Sequence, residues 1–324
     1  MTMLTRRGLL ATVPALALAA PALAQGFPTR PIRILVTIGA GSAADILTRA
    51  LADDLGRRLG QNVVTENRPG AGGNIAGEAV RRAEPDGHTL LMATVSTHGI
   101  NPALYARMPF DPVADFAPIT LVASSPNVLV VHPSSPITTL AELIAAARAK
   151  PGELTYSSGG SGTSQHLGGA VLEQMTGVKL THVPFRSAPE SVNAVLAGTT
   201  SMTFASVPVA LAQVRAGALR AIGLSSATPM AGWPEVRPLA ELGLPGFDVS
   251  AWFGLVAPAG TPAPVITRLH DATREALQVP AIRERLAGQG MQILHADPAE
   301  FATFIQSEIT RWAPIVRASG ATAG

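Results

Sequence analysis

Apolar positions fall in short β-branched runs, separated by longer stretches with an apolar residue every three or four places. Ile32, Ile34, Val36 and Ile38 mark a strand that runs into Gly39-Ala40-Gly41-Ser42, and the helical period then holds over about Ala43–Leu59. Gln61–Glu66 reads as a strand, Ile75–Ala83 as a helix, and Thr89–Thr94 as a strand ending at Ser96-Thr97-His98. This β-α-β-α-β order implies parallel strands with right-handed crossovers. Asn101–Phe116 carries Pro102, Pro109 and Pro112 and reads as irregular.

A second unit follows. Ile119–Ala123 and Asn127–Val131 read as strands, the latter, apolar through Val128–Val131, suited to burial. Thr139-x-x-Glu142 is a capping box opening a helix that Pro151-Gly152 ends. Leu154–Ser157 is a strand running into Ser157-Ser158-Gly159-Gly160-Ser161-Gly162-Thr163-Ser164, and Gln165–Thr176 is a helix. The strand, Gly/Ser loop and helix of the N-terminal unit thus recur. Lys179–Val183, Met202–Ala205 and Leu219–Ser225 alternate as strands with helices over Pro189–Ala197 and Ala210–Ala216. Thr228–Phe247 is rich in proline and glycine and reads as a surface excursion. Val249–Val256 is strand-like. Thr261-Pro262 is expected to cap a helix to about Leu277, Ala281–Ala287 to form a short helix, and Met291–Leu294 a short strand. Asp297-Pro298-Ala299-Glu300 is expected to open a last helix to about Ala318. Two α/β units with glycine loops at the carboxyl ends of strands predict two lobes facing a ligand cleft.

Composition narrows the chemistry. The 324 residues are 47% hydrophobic and 14% charged, enough for a large core, and there is no cysteine for disulfides, thiol catalysis or cysteine zinc sites. Arg6-Arg7, an uncharged run from Gly8 to Leu23 and Ala22-Leu23-Ala24 form a twin-arginine-like signal peptide over 1–24, with cleavage near Ala24. Without Arg6 and Arg7 the 24 basic residues become 22, matching the 22 acidic ones. A net charge of zero gives no support to a nucleic-acid partner. The histidines form no H-x-x-H or H-E-x-x-H pair, so no metal site is expected.

The glycine loops carry the rest. The first N–H groups of a helix lack internal acceptors and carry about half a positive charge, so each loop forms an anion cradle. Gly39, Ala40, Gly41 and Ser42 form the first cradle; Ser158, Gly159, Ser161, Gly162 and Thr163 form the second. Asp45, in the first turn of its helix, either complements the dipole or selects ligands. Arg186 either pairs with a carboxylate or stays solvated. His98 and His166 sit beside the loops as candidate donors or as ordinary packed histidines, and Ser96 ends a strand at the cleft. Trp252-Phe253 reads as cleft wall or as core. One rival reading stands. Gly39-Ala40-Gly41-Ser42-Ala43-Ala44 fits G-x-G-x-x-A, with Glu66 closing the next strand, as in an exported NAD(P)-dependent oxidoreductase. A glycine loop directly after Glu66, and a second cradle left unexplained, count against it. A nucleophile elbow and a Walker loop are both absent.

Several stretches resemble the Bug/TctC family of periplasmic solute receptors. They are Asn67-Arg68-Pro69-Gly70-Ala71-Gly72-Gly73-Asn74, Pro85-Asp86-Gly87-His88-Thr89-Leu90-Leu91, Asp115-Phe116-Ala117-Pro118, Tyr156-Ser157-Ser158-Gly159, His182-Val183-Pro184-Phe185 and Ala257-Pro258-Ala259-Gly260-Thr261-Pro262. The resemblance implies a type II-like Venus flytrap with two crossings, here near Ala123–Asn127 and Ser225–Thr228. Lobe one would be 26–124 plus 226–324, and lobe two 125–225. It further implies a non-catalytic, cofactor-free periplasmic receptor that holds a small carboxylate through the loops matching Gly39–Asp45 and Ser157–Thr163, often with ordered water. Permease subunits of a tripartite tricarboxylate transporter, and a sensor kinase, are the expected partners of a monomer. The chain departs from the family pattern in three places. Ile38 replaces a common proline; Phe185-Arg186-Ser187 stands where Tyr-Lys-Gly is usual; and Gly198–Ala205 lacks both family aspartates. Loss of the acid at Ala205, if it faces the cleft, would ease anion binding.

Overall fold

A computed structural model describes residues 26–230, 232–319 and 321–323; the expected signal peptide lies outside them. The first unit comprises β1 (Ile32–Val36), α1 (Ala43–Leu59), β2 (Val63–Asn67), α2 (Asn74–Arg81), β3 (Thr89–Thr94), α3 (Asn101–Leu104) and β4 (Phe116–Ser125). The second comprises β5 (Asn127–Val131), α4 (Leu140–Ala149), β6 (Thr155–Ser158), α5 (Ser164–Thr176), β7 (Thr181–Pro184), α6 (Ala188–Leu196), β8 (Met202–Ser206), α7 (Val207–Arg215) and β9 (Arg220–Leu224). The chain then returns through β10 (Ala251–Pro258), α8 (Ala263–Gln278), α9 (Pro280–Gly288), β11 (Gln292–Ile293) and α10 (Pro298–Ser319).

These elements build two sheets flanked by helices, with strand orders β11-β4-β10-β3-β1-β2 and β7-β6-β8-β5-β9. β1 pairs in parallel with β2 and β3, and β6 with β7 and β8. β10 and β5 run against their neighbours on both sides. The direction follows from the crossings. Parallel strands end at the cleft, so a chain arriving from the other lobe enters at that end and must run the opposite way.

Both capping boxes form. Thr139 and Glu142 exchange side-chain and backbone bonds, and Asp297 Oδ1 accepts from the Glu300 N–H at 2.8 Å while Glu300 Oε2 accepts from the Asp297 N–H at 3.0 Å. Two local expectations need correction. Residues 96–104 are helical, a wide turn over Ser96–Ile100 running into α3, whose second residue is Pro102. Pro262, not Thr261, is the N-cap of α8, and the Thr261 hydroxyl donates to Pro258 O at 2.8 Å. The stretch between β9 and β10 touches both lobes: Arg311 of α10 donates to Asp248 O at 2.9 Å, while other residues meet the second sheet. The Leu224 N–H donates to Arg237 O (2.9 Å), Phe247 stacks on Phe204 with centroids 5.9 Å apart, and Trp233 joins the Val128–Val130 cluster. Its proline and glycine content marks irregular backbone, not allegiance to a lobe.

The crossing segments are tied together. The Ser225 N–H donates to Asn127 O and the Asn127 N–H to Ser225 Oγ, both at 2.8 Å, and the Val249 N–H donates to Ser225 O at 2.8 Å. On lobe one, α10 is pinned to β10 by a buried carboxylate. Glu308 Oε2 accepts from Trp252 Nε1 (2.8 Å) and Trp312 Nε1 (2.9 Å), and Oε1 accepts from Arg311 at 3.0 Å.

Candidate functional site between the lobes

The loop after β1 is shaped by one glycine that must turn and one that must be small. Gly41 has φ +76°, a left-handed value that favours glycine. A Cβ on Gly39 would come within 3.1 Å of Ser187 Cβ, at the start of α6 in the opposite lobe. Ser42 caps α1, its Oγ accepting from the Asp45 N–H at 3.3 Å. Asp45 is buried beneath this loop rather than facing the cleft. Its Oδ2 accepts from the Gly41 N–H (2.9 Å) and its Oδ1 pairs with Arg49 (2.9 Å). Arg49 also donates to Asn67 Oδ1 at 3.1 Å, and Asn67 Nδ2 donates to Ile38 O at 3.0 Å. Asp45 therefore positions the loop, and the first of its two sequence-based roles is the one its contacts fit.

Burial alone would raise the Asp45 pKa, but hydrogen bonds from Arg49, the Gly41 N–H and Asn67 outweigh it and hold the carboxyl below the ordinary range. A depressed folded pKa stabilises above the unfolded value, about 4, and that stabilisation disappears as pH falls through the folded value. Asp45→Ala should cost about 1.5–3 kcal/mol in urea unfolding at pH 7 and less at a pH below the unfolded value of about 4. An equal cost at both would show that the charge is not what matters.

The second loop is held from behind by histidines. Thr163 caps α5, with Oγ1 accepting from the His166 N–H (3.3 Å) and donating to Gly160 O (2.7 Å). His166 Nδ1 accepts from the Gly162 N–H at 3.1 Å, which places the ring proton on Nε2. Its ring stacks on His182 with centroids 4.1 Å apart, and His182 Nε2 lies 2.7 Å from Ser158 Oγ. Burial pulls His166 down to about 4; burial and the neighbouring His166 pull His182 down to about 3, so both are neutral at physiological pH. His98 packs against Phe110 and Phe116 in lobe one, and burial brings it to about 3. Ser158 and His166 are scaffolding for the loop, and His98 is core.

Two connected spaces lie between the lobes. The inner one, about 40 Å³, is lined by Ser42, Ala43 and Ala44 of α1, Thr163, Ser164 and Gln165 of α5, and by Ser96, Asn127, Ser206 and Phe253 among others. Ala43, Ala44, Ser164 and Gln165 carry first-turn N–H groups with no acceptor in their own helices. Both cradles thus open on one cavity. The outer cleft, about 620 Å³, shares Ile38, Gly159 and Thr163 with it. Thr37, Tyr105, Ser161, Phe185, Arg186 and the loop 69–73 also line this cleft. Arg186, an exposed residue, is the one charged side chain lining either space among the described residues.

Of the residues expected at the site, Ser42, Ser96, Gly159, Ser161, Thr163, Phe185 and Arg186 line these spaces. Gly39, Ala40, Gly41, Asp45, Ser158, Gly162 and His166 shape or brace the two loops without lining them. Ala205 does not face the cleft: it packs with Val128, Val130 and Val195 in the lobe-two core, and its neighbour Ser206 takes the cleft side. Trp252 is core and Phe253 is wall. The sequence pattern overlooked Asn127, Ser164, Gln165 and Ser206. It also left out the loop after β2, whose residues 70–73 all have positive φ and which sits at a strand's carboxyl end, the same signal that marked the other two loops. The dinucleotide reading finds no support. The Gly41 N–H is taken by Asp45, and Glu66 pairs with Arg68 (2.6 Å) and Arg33 (3.5 Å).

Two α/β lobes on paired crossings, with two helix N-termini opening on one interlobe cavity, have the architecture of a solute-binding receptor. The sequence profile of the tripartite tricarboxylate transporter family receptors (TctC) matches residues 47–321, and the chain belongs to that family. It is 35% identical over 305 residues to Protein BugT of Bordetella pertussis, covering 94% of both chains. Among solved structures it is similar to R. palustris Rpa4515 with adipate (TM-score 0.88, 31% identity, 91% of this chain and 99% of that one). It is likewise similar to MatC (Rpa3494) from Rhodopseudomonas palustris with bound malate (TM-score 0.85, 31% identity, 90% and 100%).

Proposed function

We propose that this chain captures a small carboxylate in the inner cavity, with the rest of the ligand in the outer cleft. The observation that carries the reading is that first-turn N–H groups of α1 and α5 open on one cavity from opposite lobes. An anion there is stabilised by both only when the lobes are together, so binding draws an open–closed equilibrium toward closure. Arg186 at the mouth adds a second element favouring anions. Adipate and malate in the two relatives support the same class.

The receptor works in the periplasm as a monomer. The export signature over 1–24, with cleavage near Ala24, supports that compartment. Its closed form is what the permease subunits of a tripartite transporter read, with a sensor kinase as a further reader. The lobes divide at Ser125–Asn127 and at Val249–Ala251, which puts 226–248 in lobe two, because Trp233 and Phe247 pack there.

A thermal-shift panel of mono-, di- and tricarboxylates tests this. A ligand at 100 times its Kd stabilises by about 2.7 kcal/mol and should raise Tm by about 4 °C or more. A flat response across the panel would sink the reading.

A further inference from the structure

One acceptor in the inner cavity has nothing to accept. Asn127 is fully buried and lines the cavity. Its Nδ2 donates to Ser164 Oγ (3.0 Å) and to Val249 O (3.3 Å). The Val249 carbonyl fixes the amide's orientation, since a flipped amide would set two acceptors against each other. Oδ1 is left as a buried acceptor without a partner among the described residues. Directly opposite on the β5–β8 ladder stands Ser206. It is the N-cap of α7, yet its hydroxyl does not cap the helix and is also buried without a partner. Serine at that position ordinarily turns back onto the first helical N–H groups. Here it is left to the cavity it lines.

A bare carboxylate answers the helix N–H groups and Ser206 but not Asn127. Its oxygens are acceptors too, and a buried acceptor left unmet costs binding. The ligand must bring a donor beside its carboxylate. That donor is a hydroxyl or an ammonium, and charge decides between them. Among the described residues no acidic side chain lines either space, Asp45 is committed to Arg49, and each helix N-terminus presents about half a positive charge. An ammonium would sit unpaired against that field.

We propose that the receptor is selective for 2-hydroxy acids, with the ligand hydroxyl donating to Asn127 Oδ1 and accepting from the Ser206 hydroxyl. This rests on the carboxylate-receptor reading above. Asn127 and Ser206 are then specificity residues, and Asn127 also joins the crossing segments through Ser225 and Val249.

Calorimetric Kd values for matched acids test it: (S)-malate against succinate, lactate against propionate, citrate against tricarballylate, with aspartate and alanine as 2-amino partners. In every pair that binds, the hydroxy acid should bind at least about tenfold more tightly than its deoxy partner, and the amino acid most weakly. Asn127→Ala should bring the hydroxy-to-deoxy ratio to within about twofold. Wild-type protein binding both members equally would overturn the proposal, assigning Oδ1 to an ordered water. So would a preference that survives Asn127→Ala intact. The wild-type comparison needs no variant, so a misfolded Asn127→Ala leaves it decisive. Tight binding of deoxy acids without preference sinks this inference alone; no binding of any acid sinks the carboxylate reading with it.

Discussion

A Gly39→Val receptor is expected to fold with an unchanged ligand-free Tm and to bind its carboxylate about 100-fold more weakly, a loss of about 2.7 kcal/mol. Gly39 needs no unusual backbone angle, so valine is compatible with the open state. Closure is different. A Cβ alone would meet Ser187 Cβ at 3.1 Å and the Arg186 carbonyl oxygen at 3.6 Å, and the valine methyls extend beyond it. The lobes would have to stay apart by roughly the depth of a methyl group, and the two helix N-termini would no longer share the ligand. Small-angle scattering with and without ligand separates this from a folding defect: wild type should compact on binding and the variant should not. Unchanged affinity would mean that the loop after β1 does not touch lobe two in the bound state.

Glu308→Leu should be the most destabilising single change considered, at about 3–5 kcal/mol in urea unfolding. The substitution removes the acceptor for two indole N–H groups, both in buried residues. Each orphaned donor costs about 1–3 kcal/mol, and the Arg311 pairing is lost too. Glu308→Gln keeps a carbonyl oxygen at hydrogen-bond distance and should cost less than half as much. Tryptophan fluorescence follows the change, with Trp233 in lobe two as a constant background to the two rings. Equal costs for Leu and Gln would show that packing of α10 on β10, not the shared acceptor, is what Glu308 supplies.

The two-lobed α/β architecture was legible because it rests on local chemistry: β-branched runs, capping boxes, and glycines at strand ends. Both cradles were legible for the same reason. What escaped was side-chain direction. Whether Ala205 or Ser206 faces the cleft turns on which way a strand's faces lie, and a strand pair buried on both faces gives no clean alternation to read it from. Asp45 and His166 look like ligand groups from their positions beside the loops, yet each is spent on a loop N–H. Asn127 was passed over inside an otherwise apolar strand; only the crossing of three segments in space gives it a role.

The antiparallel strand that each lobe receives from the other has a consequence in time. β10 lies between β3 and β4 in the first sheet, more than 120 residues after either begins. While the chain is being made, lobe one lacks a central strand, and its apolar edges at β3 and β4 stay open until β10 is made. Lobe two is contiguous in sequence and can close first. The lobe that begins the protein is therefore the one that finishes it, and its two open strand edges are the segments most in need of cover in the interval.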